Sequence, residues 1–319
     1  MDEQVLSSFL IPLAFISTIV YGIVALYIKY LLYHMKNPMN LLLIQMIINF
    51  IFILAIYLVM SVLGIYPVEV ITLGNIILII ISTIFLFFGI LSLYYGFKVG
   101  NVSVGGLILS SRVFVSVLLA IIFLNEIYSL NIYFWFFFIF LGIIFISWQE
   151  DFSFIKGVRN SGSIYFLLTI FLWGFANVII GAVNNEVFVI SFLIIRLLVL
   201  NTLTILLYPK LKEYLGEDHP LHFELKSIFL ISVFVLIATI GDAAYIMALG
   251  ESVTITEAIG AFQGVIVFIL VLLLSQNSLL RSIYNEPLKK KTLLVRFLGI
   301  TIATIATLIM IYELGSLNI

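Results

Sequence analysis

The sequence predicts an all-α integral membrane protein, with ten transmembrane helices arranged as two inverted five-helix repeats. Three observations carry that expectation. The chain is 64% hydrophobic and 10% charged, with a mean hydropathy of +1.29, where a soluble domain carries roughly 25% charged residues. Apolar runs long enough to span a bilayer recur along the whole of it. Its basic residues collect in alternate loops.

The runs fall near residues 7–31, 39–62, 75–97, 102–124, 130–148, 162–182, 187–208, 227–249, 253–274 and 293–313. Each is close to the ~20 residues that cross a ~30 Å hydrocarbon core as a helix. Hydrocarbon leaves an open backbone unsatisfied, so the runs are helical. A barrel strand would alternate, and Phe136–Ile146 (FFFIFLGIIFI) does not. The first run, Ser7 to Tyr30, is too long for a signal-peptide core and has no basic segment before it, so it reads as a retained helix. Segment 4 carries one charge, Arg112, at its middle, and segment 7 carries Arg196. Segment 5 is rich in Phe with no central polar group, the pattern of a lipid-facing helix. Segment 8 carries Asp242. In segment 9, Gln263 lies between Gly260 and Gly264, a GxxxG spacing that admits a close helix neighbour.

Of fifteen Lys and Arg residues, Arg112 and Arg196 are intramembrane; the other thirteen, from Lys29 and Lys36 through Lys98, Lys156 and Arg159 to Lys289–Lys291 and Arg296, lie in or beside odd-numbered loops. The opposite face has the termini and the acids Asp2, Glu3, Glu69, Glu126, Glu186, Glu251 and Glu313. The positive-inside rule then makes odd loops cytoplasmic and both termini external, in a multi-pass protein of the cell membrane.

Several function classes are excluded. Zero cysteines remove disulfides, thiol catalysis and Cys-based metal sites. His219 and His222, in the acidic loop LGEDHPLHF (215–223), are expected to be solvated rather than metal-binding. The chain holds no P-loop, HExxH or GxSxG. No cofactor, resident metal, catalytic residue or nucleic-acid partner is expected.

The halves match at an offset of about 151 residues: Tyr21-Gly22 answers Trp173-Gly174, and the stretch after Gly100 answers that after Gly250. Five spans per half is an odd number, so the second copy, 151–319, enters the membrane opposite to the first, 1–150. The aromatic-Gly pairs, Lys29, Arg196 in IIRLLV and Leu124-Asn125-Glu126, where relatives have Leu-Gly-Glu, resemble the ten-helix EamA-like members of the drug/metabolite transporter superfamily. Ser275-Gln276-Asn277 stands where a second Leu-Gly-Glu would fall, and Glu286 comes only later. The resemblance implies a transporter, not an enzyme, with the fifth helix of each repeat peripheral and both termini cytoplasmic. The charge division favours the reverse orientation.

The candidate site lies at the midplane. Under the repeat alignment Arg112 corresponds to Gln263 and Arg196 to Gln45, and Arg112, Arg196 and Gln263 fall within about 3 Å of one depth. A mid-membrane arginine faces a protein interior or a cavity, where it ties helices together or reads a substrate; its fork matches carboxylate or phosphate. Thr239, Asp242 and Tyr245 recur at i+3, as do Gly89, Ser92 and Tyr95, giving one expected inward stripe per half. Trp173 and Asn177, with Thr169, lie at i+4 steps and could line the wall. Glu257 is expected at the outer interface. Two arginines against Asp242 leave a formal +1, which suits a small anionic or zwitterionic metabolite: an amino acid, organic acid or phosphorylated metabolite. Transport would run by alternating access, coupled to protons or counter-exchange, in a monomer or homodimer among membrane lipids. The competing expectations are a lipid-phosphate flippase and an intramembrane enzyme or scaffold.

Overall fold

The computed structural model describes residues 3–35, 37–64, 71–100, 102–146, 161–184, 186–214, 225–278, 280–284 and 290–316. Among the described residues every regular element is a helix: α1 (Glu3–Met35), α2 (Pro38–Val62), α3 (Leu73–Val99), α4 (Val102–Ser110), α5 (Arg112–Leu124), α6 (Leu130–Ile146), α7 (Ser161–Asn184), α8 (Val189–Tyr214), α9 (Leu225–Glu251), α10 (Val253–Gly260), α11 (Gln263–Leu274), α12 (Arg281–Tyr284) and α13 (Lys290–Ser316). Eight spans among them are long and apolar enough to cross a membrane, the α10–α11 stretch counting as one. Two shorter apolar helices, Ile108–Leu124 and Leu130–Gly142, occupy the fourth and fifth runs. The expectations for Asp2, Lys36, Glu69, Lys156, Arg159, His219, His222, Glu286 and Lys289 lie outside the described residues.

Local chemistry starts several of these helices. Asn37 caps α2 by accepting from Asn40 N at 3.0 Å, with Pro38 at the first helical position, where its missing N–H costs nothing. Thr72 caps α3, and Ser252 caps α10 through Ile255 N at 3.2 Å.

The helix pairing is regular. α3 packs on α7 and α1 on α9; α5 packs on α7 and α11 on α1; α4 packs on α11 and α10 on α5. α2 pairs with α8, and α6 with α13. Glycines permit the close crossings, and they explain the aromatic-Gly pairs. A Cβ on Gly22 would lie 2.6 Å from Ile266 on α11, and one on Gly174 would lie 2.6 Å from Val115 on α5. Each glycine thus lets its helix reach a helix from the other half, and sets Tyr21 or Trp173 beside the contact.

The fourth run is not one continuous helix, and neither is the ninth. Ser111 N bonds Ile108 O at 3.0 Å and Phe114 N bonds Ser111 O at 3.2 Å; Phe262 N bonds Ile259 O at 3.0 Å. These are the tightened i to i+3 turns that separate α4 from α5 and α10 from α11. Arg112 and Gln263 are the first residues after the two breaks. The broken helices touch there: Gly264 N donates to Ser110 Oγ at 2.9 Å, satisfying an N–H that the break orphans.

Charged and polar groups near the helix ends tie the halves together. Glu126 accepts from Val253 N and Thr254 N, each at 3.0 Å, and from Ser252 Oγ at 3.1 Å, a carboxylate capping the first turn of α10. Asn125 holds the left-handed conformation, φ 56°, that turns the chain there and makes glycine the natural residue of the motif. Tyr128 OH reaches Ser252 Oγ at 2.9 Å. Burial pushes the Tyr128 phenol up to about 12, so it keeps its proton at neutral pH. Asn75 Nδ2 donates to Glu186 at 2.8 Å. From near the end of α1, Lys29 Nζ donates to Phe97 O at 2.7 Å and Gly100 O at 3.0 Å, capping the carbonyl end of α3. Arg296, expected in or beside a loop, is buried near the start of α13 over the Phe268 ring at 5.1 Å.

Candidate functional site

A cavity of about 100 Å³ lies at the level of the two helix breaks, bounded by α1, α2, α3, α4, α5, α7, α8, α9 and α11. Its polar wall is Tyr21, Gln45, Tyr94, Arg112, Trp173, Asn177, Arg196, Asp242, Tyr245 and Gln263; the rest is aliphatic or Phe. The volume is small beside the roughly 300–1,000 Å³ of drug-sized sites, so this conformation suits a small solute.

Two ion pairs organise the wall. Arg112 Nε lies 2.9 Å from Glu257 Oε2, with the two side chains 6% and 1% exposed. Arg196 Nη2 lies 3.5 Å from Asp242 Oδ2, with side chains 10% and 20% exposed. Burying a charge pair costs several kcal/mol per ion unless further hydrogen bonds satisfy it. Glu257 has them: Asn177 Nδ2 donates at 2.6 Å and Tyr245 OH donates as well. Asp242 Oδ1 accepts from Tyr21 OH at 2.6 Å. Trp173 and Tyr245 both present ring faces 5.4 Å from the Arg112 guanidinium carbon, a cation–π clamp. Tyr245 meets the edge of Tyr21 at 5.4 Å and so joins the two pairs. Gln263 Nε2 donates to Tyr21 O at 3.3 Å, and Gln45 Oε1 accepts from Tyr94 OH.

Of the residues singled out from sequence, Arg112, Arg196, Gln45, Gln263, Asp242, Tyr245, Trp173 and Asn177 come together on this cavity. Tyr95 does not. Its ring packs 5.9 Å from Tyr165 in the α3–α7 contact, where Ser92 Oγ donates to Tyr165 O at 2.8 Å and Gly89 makes room for Trp173. An i+3 stripe turns about 60° per step around a 3.6-residue helix, so Gly89, Ser92 and Tyr95 wind off the inward face. That face is Leu86, Ile90, Leu93 and Phe97, spaced i+4, i+3 and i+4, with Tyr94 at its edge. Thr239 lies beside a smaller cavity behind Asp242 and donates to Asn49 Oδ1 at 3.2 Å.

Glu257 is the larger correction. It is buried beside Arg112 rather than solvated at the interface, because distance along a helix sets depth but not the direction a side chain faces. The expected formal +1 disappears with it: Arg112 and Arg196 stand against Asp242 and Glu257, and the site is neutral. Tyr94 and Glu257 were not singled out for the site by any sequence signal. Tyr21 was legible, since the alignment that pointed to Trp173 pairs it with Tyr21. No group of three His, Cys, Asp or Glu that could hold a metal occurs among the described residues.

Membrane-spanning helices converging on a charge-lined cavity define a multi-pass membrane protein. Residues 8–148 match the family model of the EamA-like transporter family, and that stretch is similar to its members. No curated protein sequence matches the chain. A solved crystal structure, described only as that of a protein, superposes with a TM-score of 0.60 at 14% identity, over 93% of this chain and 98% of that one. It shares the fold.

Proposed function

We propose that the chain is a secondary transporter that carries a small organic zwitterion across the cell membrane by alternating access, with 1–150 and 151–319 as two inverted five-helix repeats. The exchange pattern of the contacts supports the repeat. α3 on α7 is answered by α1 on α9, Gly22 with Ile266 is answered by Gly174 with Val115, and α2–α8 and α6–α13 pair counterpart to counterpart. An odd number of crossings per repeat puts the relating axis in the membrane plane. The charge division supports external termini and cytoplasmic odd loops.

The observation that carries the substrate class is the neutral cavity with separated charges. Glu257 takes the Nε edge of Arg112, so the terminal nitrogens of that fork are what remain for a carboxylate. Asp242 is the more exposed acid, in the longer ion pair, and suits an ammonium group. The aliphatic remainder suits an apolar side chain. A pure anion or a phosphate would leave Asp242 facing it with like charge. Gradient coupling runs through protons or counter-exchange.

The test is a thermal-shift screen of purified protein, followed by counterflow in proteoliposomes, with amino acids, their carboxylate-only analogues and their amine-only analogues. Zwitterions are expected to stabilise the protein by mass action and to exchange. The reading fails if carboxylates or sugar phosphates bind and no zwitterion does.

A further inference from the structure

We propose that Glu257 is a positioning residue that sets the charge class this transporter accepts. It pins Arg112 and cancels its charge; without it the same cavity would lose about tenfold of its preference for zwitterions over monocarboxylate anions. This rests on the zwitterion reading above and extends it to a residue that the solute does not touch.

Glu257 is 1% exposed and does not line the cavity. Its carboxylate is held by three donors on three helices: Arg112 on α5, Asn177 on α7 and Tyr245 on α9. So many bonds fix a carboxylate rather than leave it available to a passing solute. The guanidinium is fixed in turn. Its Nε edge is on Glu257, and both Trp173 and Tyr245 lie 5.4 Å from its carbon. Nη2 runs beside Gly260, where a Cβ would stand 3.6 Å from it. Arg112 therefore meets the solute with one end of its fork, at one orientation.

The charge consequence is independent of the geometry. With Glu257 the four ionised groups sum to zero; without its charge they sum to +1. A unit charge roughly 10 Å away at an effective dielectric of about 20 changes affinity by about tenfold. The carboxylate is common to both solutes and feels the change equally in each, so the ratio of their affinities reads the effect on the ammonium.

The experiment uses the full chain, wild type, Glu257→Gln and Glu257→Asp, titrated with leucine and with 4-methylpentanoate, which is leucine without its ammonium. Wild type is expected to favour leucine. Glu257→Gln keeps an oxygen for Arg112 Nε and loses the charge, so its leucine-to-4-methylpentanoate ratio should fall about tenfold. Glu257→Asp keeps the charge and should keep the preference for leucine at lower affinity, which a purely structural role would not distinguish. A wild type that prefers leucine with an unchanged ratio in Glu257→Gln overturns this proposal and leaves the transporter reading standing. A wild type that prefers 4-methylpentanoate overturns both. If neither solute shifts the protein, the emission of Trp173 decides, measured with Trp135 and Trp148 replaced by Phe. An emission change in Glu257→Gln that matches Arg112→Lys sustains the pinning of Arg112, and no change overturns it.

Discussion

Arg112→Lys is the sharpest probe of the site. The substitution keeps a positive charge next to Glu257, so the buried carboxylate is not orphaned. Arg112→Ala would leave it uncompensated at a cost of roughly 3–5 kcal/mol, and loss of folding would mask any effect on transport. What Lys removes is the planar fork. In the structure that fork donates from Nε to Glu257 Oε2 at 2.9 Å, lies 5.4 Å from the Trp173 and Tyr245 rings and lines the cavity. An ammonium reaches one of these partners at a time. Losing one charge-assisted contact to solute costs about 1.5–3 kcal/mol, or roughly 10- to 150-fold in affinity. Arg196→Lys should cost less, under about tenfold, because Arg196 acts through Asp242 at 3.5 Å. The assay pairs thermal-shift titration with counterflow in proteoliposomes, and expression and melting temperature serve as controls. If Arg112→Lys and Arg196→Lys both transport like wild type, neither guanidinium reads the solute and the functional argument falls.

Three further outcomes follow from the fold. Glu126→Ala removes the acceptor for Val253 N, Thr254 N and Ser252 Oγ; it should cost about 1–3 kcal/mol in denaturant titration, and Glu126→Gln should cost less because an amide oxygen still accepts. Gly142→Ala puts a Cβ 2.7 Å from Gly299 O and from Ala303 Cβ; the backbone cannot yield as a side-chain tip would, so the α6–α13 contact should lose about 1–3 kcal/mol and the melting temperature should drop. A cysteine at Ser316 should react with an impermeant reagent from outside intact cells and one at Ser282 should not, and reversed labelling would refute the external placement of the termini.

The sequence by itself determined the class and most of the site's cast. Hydrocarbon leaves so few permitted backbones that long apolar runs can only be helices. A charge in mid-run is expensive enough that Arg112, Arg196 and Asp242 announce an interior cavity. The repeat offset carried the aromatic-Gly pairs and the correspondence of Arg112 with Gln263. Only the tertiary structure decided which side chains meet. Glu257 reads as an interface acid because its depth is a property of one helix, whereas its partner, Arg112, comes from another 145 residues away. Tyr95 and Tyr94 are adjacent in sequence and differ only in azimuth, and which of them faces the cavity depends on where α7 packs. The helix breaks at Ser111 and Phe262 are silent for the same reason. No proline marks them; Ser110-Ser111 and the Gly260 and Gly264 pair permit a break without requiring one, and the orphaned Gly264 N–H is satisfied by Ser110 from the other half of the chain, a partner that no local pattern can name.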